Sequence, residues 1–316
     1  MKTTVLLPHY KTREMTAYSV RKILACRGRH EANVIVIDNG GGIGLEDIPN
    51  DPDVTILSYP QDLLQTHGVA FDYALKQVPD LIEECFITVE SDSFPMDSTW
   101  LDHYEDYQNQ GWDTAGSLLK LSGGTYIHPA GAMYRKSNWI EAMEDVARYK
   151  EAGYHFYESL IPPCYHVMGR FIHGDEKAEA KRVRFLPVSE GVFHNGMGYA
   201  NENVGNYGLR HPAGEAPTIL PRRGEQSYMR VMYEPGQWFC YWHYAKGKKV
   251  KEVPTEVRWL PNRVNQNQEF TLMENGFKHL WGITAYSTCE SSDAELEPII
   301  AFKKEQARKV CEEVGQ

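Results

Sequence analysis

Long hydrophobic runs are missing from this 316-residue chain, and no stretch approaches the roughly 18 apolar residues a membrane span needs. The apolar start Val5-Leu6-Leu7 breaks at Pro8, too short for the core of a secretory leader, so a cytoplasmic protein is expected. Cysteine is sparse. Cys26, Cys85, Cys164, Cys240, Cys289 and Cys311 include no CxxC pair, which argues against a zinc ribbon or dithiol redox site and for reduced thiols. An excess of positive charge is lacking too: the net charge is −10, which argues against a generic nucleic-acid coat. Neither GxGxxG nor a Walker lysine is present, so Gly40-Gly41-Gly42 reads as a turn rather than a phosphate loop. There is no internal repeat and no low-complexity segment. What is there is ordinary for a globular chain, 42% apolar and 24% charged, and long enough to bury a core without disulfides.

The first part alternates strand and helix signals. Val5-Leu6-Leu7 reads as a buried strand stopped by Pro8, and Thr12 as the N-cap of a helix carrying Ala17, Val20, Ile23 and Leu24. Asn33 opens the β-branched, apolar run Val34-Ile35-Val36-Ile37, as in strands of a parallel sheet covered on both faces. Val54-Thr55-Ile56-Leu57 is a third strand. A helix follows with Phe71, Ala74, Leu75 and Val78 on one face, and then a fourth strand, Cys85 to Val89. The order β-α-β-β-α-β predicts an α/β fold with a mostly parallel sheet and helices on both faces. Ligands of such open sheets bind outside the carboxyl ends of the strands. Tyr10, Asp38 and the Glu90–Asp92 cluster all fall at those ends.

Further along, Asp113 to Ser122 reads as a strand, and Asn138 with Glu141 as a capping pair for a helix. Residues 165–180 read as helical and Val183 to Pro187 as a strand. From about 196 to 224 Gly, Asn and Pro suggest long loops. Trp238, Cys240 and Trp242 alternate as in a strand, packed in a core or open as an aromatic platform beside Lys246, Lys248, Lys249 and Lys251. A charged helical tail closes the chain from about 290, with Ala294, Leu296, Ile299, Ile300 and Phe302. Between Lys177 and Arg263 fourteen Lys and Arg face eight Asp and Glu, so a basic, loop-rich part follows an acidic one. A boundary near 205 is expected, with 1–205 binding and reacting and 206–316 forming a partly β extension on the acceptor side.

Glu90-Ser91-Asp92 ends a buried strand. In a turn past the strand end the two carboxylates can converge, and hard oxygen donors there suit Mg²⁺ or Mn²⁺ bridging a diphosphate. The same triplet is also an ordinary acidic turn. Asp38 can accept an N–H of a nucleobase such as uracil, or simply open the turn before Asn-Gly-Gly. Tyr10 can stack on the base or pack.

Val5-Leu6-Leu7-Pro8-His9-Tyr10, then Val34 to Gly40, then His67-Gly68-Val69-Ala70-Phe71-Asp72-Tyr73-Ala74, then Val89-Glu90-Ser91-Asp92 resemble, in order and spacing, GT-A glycosyltransferases, and glycosyltransferase family 2 most of all. The resemblance covers roughly residues 3–195. It implies a GT-A fold and a metal-dependent, inverting transfer of a sugar from a nucleotide-diphosphate donor, a UDP-sugar foremost. It implies that Pro8, Tyr10, Asp38, His67, Glu90, Ser91 and Asp92 bind the donor, and that Asp92 and Glu90 hold Mn²⁺ or Mg²⁺. Two departures stand out: Glu90 occupies the first acidic position, and Asp72 replaces the family's asparagine.

Gly131-Ala132-Met133-Tyr134-Arg135 is similar to the family's acceptor-side segment. Inversion requires a general base beside the acceptor hydroxyl. His173-Gly174-Asp175-Glu176, followed by Arg182-Val183-Arg184-Phe185, is similar to the family's base segment. Asp175 is therefore the expected catalytic base, with Glu176 second and Glu158 third, although a carboxylate there is also a helix cap. His194 is the late histidine expected to close the metal or diphosphate site. The acceptor is a glycan or, given the basic extension, a hydroxymethylated DNA base. Two other functions fit parts of the sequence. A nucleotidyltransferase also uses carboxylates and Mg²⁺, but Pro8-His9-Tyr10-Lys11-Thr12-Arg13 lacks its Gly-rich loop. A non-catalytic sugar- or nucleic-acid-binding protein would need no Glu90, Asp92 or Asp175.

Overall fold

The computed structural model describes residues 1–39, 42–59, 67–121, 124–151, 171–173, 209–210, 218–219, 231–233, 236–259, 268–280 and 297–312. The strands are β1 (Lys2–His9), β2 (Glu31–Asp38), β3 (Val54–Ser58), β4 (Cys85–Thr88), β5 (Ser93–Pro95), β6 (Thr114–Leu121), β7 (Gly124–Ile127) and β8 (Ala132–Arg135). Short β9 (Phe171–His173), β10 (Leu209–Arg210), β11 (Thr218–Ile219) and β12 (Val231–Tyr233) follow, then β13 (Val250–Val253), β14 (Thr255–Trp259), β15 (Gln268–Met273) and β16 (Phe277–His279). The helices are α1 (Arg13–Ala25), α2 (His67–Gln77), α3 (Trp100–Asn109), α4 (Lys136–Glu151), α5 (Gln237–Ala245) and α6 (Glu297–Glu312).

The main sheet runs β3-β2-β1-β4-β8-β6-β13. Pairs among β3, β2, β1 and β4 are parallel, β8 is antiparallel to both its neighbours, and β13 closes the far edge parallel to β6. This is the mostly parallel sheet the sequence pattern predicts. Strand β1 sits in the middle because its apolar run serves both faces: Val5, Leu6 and Leu7 are all fully buried. One face packs Val5, Leu7, Val34, Val36 and Ile87 with Val20 and Ile23 of α1 and Trp100, Leu101 and Tyr104 of α3. On the other, α2 lies against β1 and β2. Each such side chain contributes about 1.5–3 kcal/mol of burial.

Several expectations are corrected. Pro8 does not stop β1, which continues to His9 in register with Asp38. Val89 N donates to Leu6 O, so the alternating Pro8 nitrogen points to the same side, past the last β4 contact. No ladder bond is lost there, which is why proline is tolerated in a central strand. Asn138 does not cap α4, which already begins at Lys136; its amide instead donates to Asp113 Oδ1 at 3.1 Å. Residues 171–173 form a strand paired with β12, not a helix. Gln237–Ala245 is a helix, not an alternating strand: Gly236, with φ of 78°, sets its start, and Phe239, Cys240, Trp242 and His243 share its buried face. Ring stacking between Phe239 and Tyr134, with centroids 5.3 Å apart, holds that face on β8. In the terminal helix Ile300 is buried as expected, but Phe302 is exposed and Lys303 takes the inward position. The expected strand at 183–187 and most of the expected loops at 196–224 lie outside the described residues.

Strands late in the chain return to the first part. β13 joins the main sheet, and β14, β15 and β16 form a second, antiparallel sheet with β5. This second pairing builds the site.

Candidate functional site

Because β2, β1 and β4 are parallel, Asp38, Tyr10 and the Glu90–Asp92 turn emerge at one edge. Two strand spacings put the ends of β2 and β4 about 10 Å apart laterally. Asp38 is buried, and its Oδ2 accepts the Gly42 N–H at 2.7 Å while its carbonyl accepts Tyr59 N–H. Thus the turn-forming role of Asp38 is real, and the same bond fixes its carboxylate at the edge. His9 braces the same loop. Its Nε2–H donates to the Ile43 carbonyl at 2.7 Å, which leaves Nδ1 to accept the Thr16 hydroxyl at 2.8 Å. Pro8 is buried in β1, and Tyr10 is half-buried with the Lys11 ammonium 5.2 Å from its ring centroid. Lys11 adopts a φ of 54°, a left-handed backbone at the mouth of the site. His67 opens α2.

The acidic turn is anchored on three sides. Ser93 N–H donates to Glu90 O, Ser19 Oγ donates to Ser91 O at 2.8 Å, and Leu280 N–H donates to Asp92 O. Ser91 and Asp92 are buried and Glu90 is mostly so. The chain then runs into β5, and β5 pairs with β16 so that His279 lies opposite Ser93. This register carries the His279 imidazole to the carboxylates. Its Nε2 is 3.2 Å from Glu90 Oε2 and 3.5 Å from Asp92 Oδ1. Burial alone would lower its pKa, but the Glu90 charge and hydrogen bonds to Asp92 and Glu90 outweigh that and hold it up at about 9.

A second imidazole completes the cluster. His128, between β7 and β8, accepts the Ala130 N–H on Nδ1 at 3.2 Å, so Nε2 carries the proton; it lies 3.6 Å from Glu90 Oε1. Its ring stacks on that of His279 at 5.3 Å and 18°. The Gly131 segment abuts this point. Gly131 N–H donates to Thr88 O at 2.8 Å, its carbonyl accepts the Tyr104 hydroxyl, and its φ is +76°.

Ligand atoms of Glu90, Asp92 and His279 all lie within 4.8 Å of one another. Two carboxylate oxygens and an imidazole nitrogen, converging and largely withdrawn from solvent, form a donor set that fits a divalent cation. Among the described residues His30, Asp102 and Glu105 also cluster, but Arg29 bridges both carboxylates at 2.9 and 2.6 Å, and the amino terminus lies 2.6 Å from Glu105; this is an ion-pair network.

The sequence pattern puts Tyr10, Asp38 and the Glu90–Asp92 cluster at one edge, and the structure brings them there; Pro8 lies within β1. The pattern missed His279 and His128. A signal for His279 existed in Asn275-Gly276, a turn dipeptide between the alternating β15 and β16. Asp175, Glu176, Glu158 and His194 lie outside the described residues.

The mostly parallel strand order, with an antiparallel insertion at β8 and an acidic turn past β4, agrees with the fold that the resemblance to GT-A glycosyltransferases implies. No protein-family model matches the chain, and no curated protein matches it by sequence. Among solved structures it is similar to S. aureus TarS 1-349 in complex with UDP-GlcNAc, at 15% identity and a TM-score of 0.35, covering 50% of this chain and 49% of that one. It is similar to the mannosyltransferase PcManGT from Pyrobaculum calidifontis in complex with GDP-Man and Mn²⁺, at 12% identity and a TM-score of 0.35, over 46% of each chain. It is also similar to the galactosyltransferase LgtC in complex with donor and acceptor sugar analogs, at 13% identity and a TM-score of 0.33, over 52% of this chain and 67% of that one. The chain spans about half the length of the TarS fragment it matches. Among the described residues no helix is long and apolar enough to cross a membrane.

Proposed function

We propose that this protein is a metal-dependent, inverting glycosyltransferase that moves a sugar from a nucleotide-diphosphate donor, a UDP-sugar foremost, to a hydroxyl acceptor. The convergence of Glu90, Asp92 and His279 at the carboxyl edge of β4, beside Asp38 on β2, is the observation that carries this reading. Glu90, Asp92 and His279 would hold Mn²⁺ or Mg²⁺, with His194 the further histidine proposed to close the metal or diphosphate site. When bound, the ion supplies positive charge to the departing diphosphate. Asp38, oriented by Gly42, accepts an N–H of the base, and Tyr10 offers it a ring face. His128, stacked on His279, faces the other oxygen of the Glu90 carboxylate, Oε1, at 3.6 Å. Asp175, or Glu176 beside it, takes the proton of the acceptor hydroxyl as that oxygen attacks the sugar carbon. The basic stretch after Lys177 suits an anionic acceptor, so a hydroxymethylated DNA base stands beside a glycan as the acceptor class.

A thermal-shift screen of UDP-, GDP- and dTDP-sugars with and without Mn²⁺ tests the donor. Binding to the native state alone raises Tm, and the reading predicts a rise that needs both metal and nucleotide, greatest for a UDP-sugar. No shift with any pair would contradict it.

A further inference from the structure

Helix α6 brings a lysine to the corner that holds the acidic turn. Its Ala307, Val310 and Cys311 pack on a cluster of Met15 and Tyr18 from α1, Phe94 from β5 and Leu280. Leu280 follows His279 directly in the chain, and Phe94 comes two residues after Asp92. In the same helix the Lys303 side chain is fully buried. Its Nζ donates to the Glu269 carbonyl at 3.4 Å and to Gln306 Oε1 at 3.5 Å, both long bonds. Burial pulls the ammonium down to about 8, while the charges of Asp92 and Glu269 act to hold it up. An ammonium withdrawn from water is costly unless carboxylates face it.

We infer that Lys303 is a positioning residue for the acidic turn, a fixed positive charge that opposes uptake of a free divalent cation by Glu90, Asp92 and His279, so that the cation enters together with the donor's diphosphate. The inference rests on the glycosyltransferase reading above. The charge balance is simple. Glu269 is already paired with Arg258 at 3.0 Å; once His279 has given up its proton to the solvent, as an imidazole ligand must, two carboxylates and one ammonium leave a single negative charge. A divalent ion alone overshoots to a positive charge in a site shut off from water, where such imbalance is poorly screened. An anionic diphosphate restores the balance. Metal and diphosphate therefore bind cooperatively, each raising affinity for the other by the same factor.

Calorimetric titration of MnCl₂ into wild-type protein and into Lys303→Met and Lys303→Arg, with and without UDP, tests this. In the wild type UDP is expected to tighten Mn²⁺ binding at least about tenfold. Lys303→Met should tighten binding of Mn²⁺ alone by about tenfold and shrink the UDP enhancement by the same factor. Lys303→Arg, which keeps the charge, should behave as the wild type. Equal Mn²⁺ affinity and equal UDP enhancement in wild type and Lys303→Met would overturn the inference, as would an arginine variant that behaves like the methionine one. Should Lys303→Met not fold, a wild type showing no UDP enhancement overturns it by itself. These results leave the glycosyltransferase reading standing as long as Mn²⁺ and UDP bind and Asp92→Ala abolishes the metal's part. Loss of that dependence on Asp92 removes both.

Discussion

His279 Nε2 stands 3.2 Å from Glu90 Oε2, although one belongs to a late antiparallel hairpin and the other to the turn after a central parallel strand. The pairing of β16 with β5 is the cause, so the site is incomplete without the C-terminal part of the chain. Replacing His279 by asparagine should weaken Mn²⁺ binding in the presence of UDP by roughly tenfold or more, as loss of a metal ligand or its support does. The metal-free variant should also melt lower than the wild type, because Glu90 and Asp92 lose a buried hydrogen-bonding partner. Calorimetry and a melting curve check the two parts separately.

Asp38 serves the fold and the proposed ligand at once. Asp38→Ala leaves the Gly42 N–H without its carboxylate, which should cost about 1 kcal/mol in denaturant unfolding. Its effect on UDP should be larger, a drop in affinity of at least about tenfold, if the carboxylate also reads the base. UDP titration of the folded variant separates them: unchanged affinity would leave Asp38 with the turn alone.

Gly131→Ala should be strongly destabilising. A Cβ there would lie 2.3 Å from Phe277 Cδ1 and 2.5 Å from Met273 Cε, and φ is +76° besides. Backbone strain and overpacking each cost about 1–3 kcal/mol, so urea unfolding should show a fall of at least about 2 kcal/mol.

Stability should weaken in mild acid through His243. Burial pushes its pKa down to about 4, while its Nδ1 lies 2.7 Å from the Phe239 carbonyl. The folded chain thus holds this ring neutral where the unfolded chain, with an ordinary pKa near 6.5, takes up a proton. The contribution is complete above pH 6.5 and is lost as the pH falls toward 4, on the order of 3 kcal/mol in all. Unfolding free energies measured between pH 7 and 4 should fall less steeply for His243→Gln than for the wild type.

Much of the fold was legible because parallel strands buried on both faces announce themselves: the runs around Leu6 and Ile35 admit no other reading. The carboxylates were legible for the same reason, since chain order fixes which residues leave at the sheet's carboxyl edge. The histidines were not. His279 reaches Glu90 through a three-residue strand whose partner is distant in sequence, and His128 sits in a short connection with no periodicity. The Trp238–Trp242 alternation misled because a helix face of residues at i, i+1, i+3 and i+4 also samples alternate positions over so short a run. Lys303 broke the expected apolar stripe of α6, and a hydrophobic pattern cannot foresee a cation buried for its charge.

The most direct test of the account is release of UDP from a UDP-sugar in the presence of Mn²⁺, with acceptor or with water, by the wild type and by Asp92→Ala. The account predicts release that stops when Mn²⁺ is chelated and falls by at least about a hundredfold in the variant, equivalent to roughly 2.7 kcal/mol of lost transition-state stabilisation. Full metal-dependent release by Asp92→Ala, or release by the wild type that ignores chelation, would contradict it.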